Sequence, residues 1–162
     1  MVLVRQMVGI AGAHQRGSVA LEFLMLFPLV VAMLYAAAIY SVLFYSKYQL
    51  QDAVDKAVAS AMRVDRSRAV DSDSLQSAVT TLSTSTLAAV VSGLPGAVAN
   101  AVDDGASSCA MVSSGGVDLL QCSIQARVNG EESPLVKQLS FGFLGAFPPL
   151  PETITVQSVI AI

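Results

Sequence analysis

Residues 16–44 read RGSVALEFLMLFPLVVAMLYAAAIYSVLF, and this stretch decides the architecture of the chain. From Phe23 to Phe44 it contains 22 residues without a charge. An α-helix of that length extends about 33 Å, slightly more than the roughly 30 Å hydrocarbon core of a bilayer. The stretch therefore predicts a transmembrane helix, and Pro28 should kink it because proline removes one backbone donor.

One carboxylate, Glu22, lies at the start of this apolar run. On insertion scales, an ionised side chain costs about 2.5–3.5 kcal/mol near the centre of a bilayer. A carboxylate kept at the edge of a span therefore indicates a function. Upstream, the short N-terminal segment carries Arg5 and Arg16 and no acid, which favours a cytoplasmic N-terminus and places the rest of the chain outside.

The helix is expected to continue beyond the membrane. Residues 48–64, YQLQDAVDKAVASAMRV, place apolar side chains at helical spacing, and Asp52 and Lys56 form an i,i+4 pair on another face. We predict one helix over residues 18–66. Its apolar stripe comprises Leu50, Ala53, Val54, Ala57, Val58, Ala61 and Met62.

A second helix is predicted over residues 74–92. Asp73 and Gln76 resemble a capping box at its start, and the sequence Gly-Leu-Pro-Gly at residues 93–96 should end it. Further on, the sequence Asp-Asp-Gly at residues 103–105 is a turn signal.

Two strand-like runs flank Gly115 and Gly116, which fit a two-residue hairpin turn. In that register Cys109 lies directly opposite Cys122, at a non-hydrogen-bonded site where Cα atoms are about 4.5 Å apart. We therefore predict a disulfide. A redox or metal role is disfavoured because the pair lacks CxxC spacing and a nearby histidine.

The C-terminal part combines an aromatic loop with a final strand. Four large apolar residues in residues 141–147 are predicted to plug the domain core or shield the sheet, or else to form a contact surface for another subunit. The run ETITVQSVIAI predicts a third, antiparallel strand, so the expected fold class is α+β with a small sheet. The loop residues are Phe141, Phe143, Leu144 and Phe147.

The composition favours a membrane-anchored protein without catalytic machinery. The chain of 162 residues is 54% hydrophobic and 13% charged, about half the charged share of an ordinary soluble domain. Its net charge is −3 and it carries no basic patch that would suit nucleic acid. Its single histidine is His14, and no nucleophile–base pair, phosphate loop or metal motif is evident, so we expect no enzyme, cofactor or metal site.

The N-terminal residues resemble a type IV prepilin signal. Gly17 precedes Ser18, and counting from Ser18, Glu22 is the fifth residue and Phe23 the sixth. More specifically, RGSVALEFLMLFPLVV and the continuation YQLQDAVDKAVASAMR are similar to the TadE-like pseudopilins of tight-adherence (Tad, type IVc) pilus systems. Phe23 departs from the tyrosine usual in the very short major pilins, which favours a pseudopilin.

The resemblance implies a processed pilus subunit. A prepilin peptidase would remove residues 1–17 as a leader, and methylation of the new amine is an open question. Glu22 would pair with the amine of Ser18, either in its own chain or in an adjoining subunit. Residues 18–46 would span the inner membrane, 47–66 would extend the helix, and 67–162 would form the outer domain. The implied partners are the peptidase, the major pilin, other pseudopilins, the inner-membrane assembly platform and membrane lipid.

Two other interpretations remain open from the sequence. A secretory signal peptide would be cut near Ala36–Ala38, although Glu22 inside its apolar region argues against it. Alternatively, the chain is an unprocessed, signal-anchored envelope protein with a binding or structural role.

Overall fold

A computed structural model of the chain describes residues 16–68, 71–129, 135–136, 138–140, 142 and 145–162. The fold is α+β, as predicted, with a long N-terminal helix, a second helix and an antiparallel sheet. The helices are α1 (Arg16–Ser60), α2 (Ser72–Ser92) and α3 (Gly96–Ala99). The strands are β1 (Val102–Ser114), β2 (Val117–Arg127), β3 (Leu139–Ser140), β4 (Ala146–Phe147) and β5 (Thr153–Ala161).

The chain divides into two compact units, and the boundary lies between Ala37 and Ala38. The described part of the first unit is the beginning of α1. The second unit holds the rest of α1 together with α2, α3 and all five strands.

Helix α1 runs through Pro28 and ends at Ser60, where a 3₁₀ turn over Ala61–Arg63 follows. The predicted end at residue 66 is therefore too late. The sequence after the turn favours local bonding: the Asp65 carboxylate accepts hydrogen bonds from the hydroxyl and backbone N–H of Ser67, at 2.6 and 3.0 Å. Such side-chain bonds compete with helical ones, and here they also hold the pKa of Asp65 below its usual value.

Helix α2 begins with a capping box, but the capping residue is Asp71 and not the predicted Asp73. The Asp71 carboxylate accepts from the backbone N–H of Ser74 at 2.8 Å, and the Asp71 N–H donates to the Ser74 hydroxyl at 3.2 Å. Ser74 thus fills the second position of the capping box, the role that the sequence interpretation assigned to Gln76. As predicted, the helix ends at Gly93.

The main sheet has the strand order β1-β2-β5, and all its pairs are antiparallel. The β1–β2 hairpin turns at Gly115 and Gly116, whose φ angles of 61° and 82° suit a turn that needs two positive φ values. The predicted register is confirmed: Cys109 lies opposite Cys122 with their Cα atoms 4.0 Å apart, and the two form a disulfide. A crosslink that closes a loop of this size contributes about 3 kcal/mol in the chain-entropy model.

The predicted turn at Asp103–Gly105 is wrong, because these residues lie inside β1. The β1–β2 register shifts between Val102 and Ser107, and Gly105 takes a φ of 83° within that irregularity. A glycine with positive φ is typical of a bulge. Asp103 forms an ion pair with Arg127 of β2 and so contributes to strand pairing.

The core of the second unit lies between one face of the main sheet and the two long helices. Residues of β2 alternate, so that every second side chain faces the core, as predicted. The predicted third strand is confirmed as β5. Phe147 lies at the surface in β4, so it is not a core plug, while Phe141, Phe143 and Leu144 lie outside the described residues. The central buried residues are Leu50, Ala53, Val54, Ala57, Val58, Val79, Leu87, Leu120, Cys122, Ile124, Ala126 and Val156.

Replacement of the capping residue should destabilise the second unit. We expect Asp71→Ala to lower the free energy of unfolding by about 0.5–2 kcal/mol, because the N–H of Ser74 loses its acceptor. Asp73→Ala is the matched control; it removes a first-turn charge that caps nothing, and should cost less. Urea unfolding of both variants measures the difference, and equal losses would contradict the assignment of the cap.

The contribution of the Asp71 cap to the free energy of unfolding should decrease in acid. Hydrogen bonds from Ser74 lower the pKa of Asp71 in the folded chain. Its contribution is therefore complete at neutral pH and is lost as the pH falls through that lowered pKa. We expect the difference in the free energy of unfolding between the wild type and Asp71→Ala to be smaller in acid than at neutral pH, and urea unfolding at both pH values measures it.

Candidate functional site

The beginning of α1 carries a continuous apolar surface that the rest of the described chain leaves exposed. Each large apolar side chain from Leu21 to Leu34 is exposed, and the helix is long and apolar enough to cross a membrane. Removing apolar area from water is worth about 25 cal/mol per Å², so this surface favours a lipid or protein environment. The exposed residues are Leu21, Phe23, Leu24, Met25, Leu26, Phe27, Leu29, Val30, Val31, Met33 and Leu34.

The residues of the predicted processing and assembly site all lie on the first turns of α1. Gly17 and Ser18 are helical, Glu22 is exposed, and Phe23 is 64% exposed. The Phe23 ring lies 5.7 Å from that of Phe27, one turn further on. Among the side chains that the structure describes, none forms an ion pair or hydrogen bond with Glu22. The carboxylate is thus available to a group from outside this folded chain.

The later part of α1 has a different surface, because one side of it packs in the core of the second unit. The predicted apolar stripe is buried from Leu50 to Ala61, but Met62 is exposed and was assigned to it wrongly. The predicted pair is confirmed on the opposite side, where the Lys56 ammonium lies 2.6 Å from the Asp52 carboxylate. The stripe consists largely of alanine and valine, which lets neighbouring elements approach α1 closely.

Helix α2 meets α1 through two serines that the sequence interpretation did not single out. Ser60 and Ser83 are both buried, and their hydroxyl oxygens lie 3.5 Å apart. The Ser60 hydroxyl also reaches the carbonyl oxygen of Ala57 at 2.6 Å. Small hydroxyl residues at both positions bring the helices together while satisfying their own polar atoms. The spacing of serines along a sequence does not distinguish a buried serine from a solvated one, so these two residues were not predicted.

Domain packing begins earlier on α1 than the charge pattern suggested. Leu43 and Ser46 are buried, at 7% and 3% exposure, although both precede the first charge after the apolar run. The Tyr40 hydroxyl donates a hydrogen bond to the carbonyl oxygen of Pro149 at 3.1 Å. A second bond joins the Gln51 side chain to the carbonyl oxygen of Gln157 in β5, at 3.2 Å. The end of the apolar run therefore contacts the chain just before β5.

A metal cluster and the cysteine pair are the other candidates for a functional site. Within the ranges given above, no cluster of His, Cys, Asp and Glu side chains has the arrangement of a metal site. The cysteines are joined in the disulfide, whose sulfur atoms belong to the buried core of the second unit. The disulfide therefore stabilises the sheet and is separate in role from the residues at the start of α1.

These features define a class of protein: an α+β domain with a disulfide, preceded by one apolar helix that is compatible with a single-pass membrane anchor. Residues 17–59 match the model of the family described as TadE-like protein. The match confirms the resemblance drawn from RGSVALEF, and the family suggests a protein associated with Tad pili. Comparison with curated proteins and with solved structures finds no match.

The matched segment lies entirely within α1. It begins at Gly17 and ends at Ala59, one residue before the helix ends. It includes the exposed apolar part of α1 and also the stripe that packs in the core. The likeness therefore covers both surfaces of the helix, whereas the sheet is outside it.

The buried stripe should tolerate added volume far less than the opposite side of the same helix. Ala57 is fully buried and Ala59 is exposed. We expect Ala57→Leu to lower the free energy of unfolding by about 1–3 kcal/mol through overpacking. Ala59→Leu, the matched control, should change it by no more than about 0.5 kcal/mol. Urea unfolding in detergent, followed by near-UV circular dichroism, measures both; equal effects would count against the packing described for α1.

Proposed function

We propose that this protein is a minor pilin, or pseudopilin, of a tight-adherence pilus system. It would prime, cap or enter the pilus without catalysing a reaction. The observation that carries the proposal is the TadE-like match over residues 17–59, which coincides with one apolar helix. The separate α+β domain supports a specialised subunit, since the major pilins of such systems are very short.

The proposed location is the bacterial inner membrane, with the C-terminal domain on the periplasmic or extracellular side. Basic residues Arg5 and Arg16 precede the apolar run, which favours a cytoplasmic N-terminus. The disulfide between Cys109 and Cys122 supports the same orientation, because disulfides persist in oxidising compartments.

Processing is proposed between Gly17 and Ser18 by a prepilin peptidase. Residues 1–17 would be the leader and 18–46 the membrane span. Beyond the span α1 would continue as far as Ser60, and the rest of the chain would complete the outer domain. The match begins at Gly17, which fits a family signature that starts at this junction. The cut would create an α-ammonium on Ser18, with methylation as a further modification.

Glu22 is proposed to bind that new amine. An ionised carboxylate among apolar helices is costly unless it is paired, so a fixed cationic partner is strongly preferred. Ser18 and Glu22 lie one helical turn apart, about 6 Å along the axis, so a bond within one chain is geometrically accessible. A bond between chains would instead set the stagger of neighbouring helices. Glu22 is exposed and unpaired within the described chain, which leaves it free for either arrangement.

The proposed partners follow from this role. The peptidase would act on the leader, and the inner-membrane assembly platform would extract the subunit from the bilayer. The major pilin and other pseudopilins would cover the apolar surface of α1 once lipid no longer does. Adhesion would be a property of the assembled pilus.

The intact mass and N-terminal sequence of the protein isolated from membranes test the processing. We expect a chain that starts at Ser18, with or without a methyl group. A chain that starts at Ile39 would establish a secretory signal peptide instead. An unprocessed Met1 would favour the signal-anchored envelope protein that the sequence left as the alternative.

Removal of the Glu22 carboxylate tests the assembly role. We expect Glu22→Ala to be cleaved normally but to reduce the number of pili per cell, because the Ser18 amine loses its partner. Asp55→Ala is the control, since it removes an exposed carboxylate from a later turn of the same helix. Immunoblots report cleavage and electron microscopy counts pili. Wild-type pilus numbers in Glu22→Ala would refute the pairing role.

A further inference from the structure

We propose that the protein contacts the membrane at a second place, through the short β3–β4 ribbon and the prolines that follow it. The contact surface comprises Leu139, Phe147 and Pro149, which are exposed, and we call it the ribbon surface. Its proposed occupant is the outer leaflet of the same bilayer that α1 crosses. The inference rests on the proposed membrane anchoring of α1 and adds a site on the folded domain.

A hydrogen bond to α1 fixes the depth of the ribbon surface. The Tyr40 hydroxyl donates to the carbonyl oxygen of Pro149, so the ribbon surface lies level with Tyr40. Tyr40 is four residues before Phe44, where the apolar run ends. At 1.5 Å per residue it lies about 6 Å on the membrane side of that end. Elements that lie in the interface bury about 5–10 Å into the boundary between headgroups and acyl chains. The ribbon surface is held at that depth.

The ribbon surface is chemically suited to lipid. Leu139 and Phe147 are directly opposed across the ribbon, so both side chains point to the same side. They are 51% and 36% exposed. No charged residue occurs in the sequence from 138 to 151. An uncharged segment with an outward apolar pair suits acyl chains better than water.

Backbone polar groups need hydrogen-bond partners wherever water is excluded. Prolines at 148, 149 and 151 remove three N–H donors from this segment. Two carbonyl oxygens are satisfied by side chains: Gln138 donates to Pro148 at 2.8 Å and Tyr40 donates to Pro149. These three missing donors and two satisfied acceptors lower the cost of moving this part of the chain into a water-poor environment.

Near the same level, α1 carries residues typical of a membrane interface. Tyr45 and Tyr48 are exposed and flank Lys47, the first charge after the apolar run. Tyrosine is enriched where a membrane span meets the headgroups, and lysine extends from such positions towards water. These residues place the interface within two turns of Tyr40. The ribbon surface and the end of the span are thus continuous.

Tryptophan fluorescence tests the contact cleanly, because the chain contains no tryptophan. The full chain would carry Phe147→Trp and be reconstituted in nanodiscs at one copy per disc, with lipids brominated along their acyl chains as quenchers. Val117→Trp is the matched control: it is an exposed strand residue at the far end of β2, about 35 Å along the strand. Leu34→Trp, within the apolar run, reports whether α1 itself is inserted.

We expect brominated lipid to quench Trp emission in Phe147→Trp and Leu34→Trp but not in Val117→Trp. Leu139→Trp, the residue opposite Phe147, should behave like Phe147→Trp and guards against a local folding defect. Quenching in Leu34→Trp alone would overturn the ribbon contact while leaving the membrane anchor intact. No quenching in any variant would overturn the anchor as well.

Lowering the number of protein copies per membrane distinguishes binding to another subunit from binding to lipid. If emission from Phe147→Trp shifts to the blue only in vesicles that hold many copies, and not in single-copy nanodiscs, the ribbon surface binds another subunit and the lipid proposal is wrong. A shift that is independent of the protein-to-lipid ratio supports contact with the bilayer.

Discussion

The exposed apolar surface at the start of α1 is the constraint on which the rest of this structure depends. Between Leu21 and Leu34 the described chain covers none of its large apolar side chains, and at about 25 cal/mol per Å² such a surface is not stable in water. A bilayer, or a bundle of similar helices, must supply the missing environment.

Helix α1 suits both an apolar environment outside the chain and the core of the folded domain, because its side chains change along its length while its backbone stays helical. Large leucine and phenylalanine residues dominate its first part, whereas a stripe of alanine and valine faces the core from Leu50 onward. Small side chains allow the sheet and α2 to approach, and the buried contact between Ser60 and Ser83 shows how close that approach is. The match to the TadE-like family covers this whole helix, so both surfaces belong to the recognisable segment.

The outer domain is tied to the helix by polar bonds as well as by its core. Tyr40 and Gln51 donate to carbonyl oxygens of Pro149 and Gln157, at two levels along α1. These bonds connect the helix to β5 and to the segment just before it, and the disulfide joins the other two strands of the sheet. A subunit built in this way holds its domain at a set height on its own helix, which is useful when the helix also determines position in a membrane or a pilus.

The sequence by itself determined the elements that depend on short-range patterns. The apolar run, the hairpin at Gly115, the disulfide register and the family resemblance were all predictable, because each rests on spacing within one segment. Tertiary structure placed Asp103 in a strand where a turn was expected, and buried Leu43 and Ser46 at the end of the apolar run. Those outcomes depend on which distant segment covers a given residue. A side chain of the same type is solvated or buried according to that neighbour, and spacing along one segment does not reveal the neighbour.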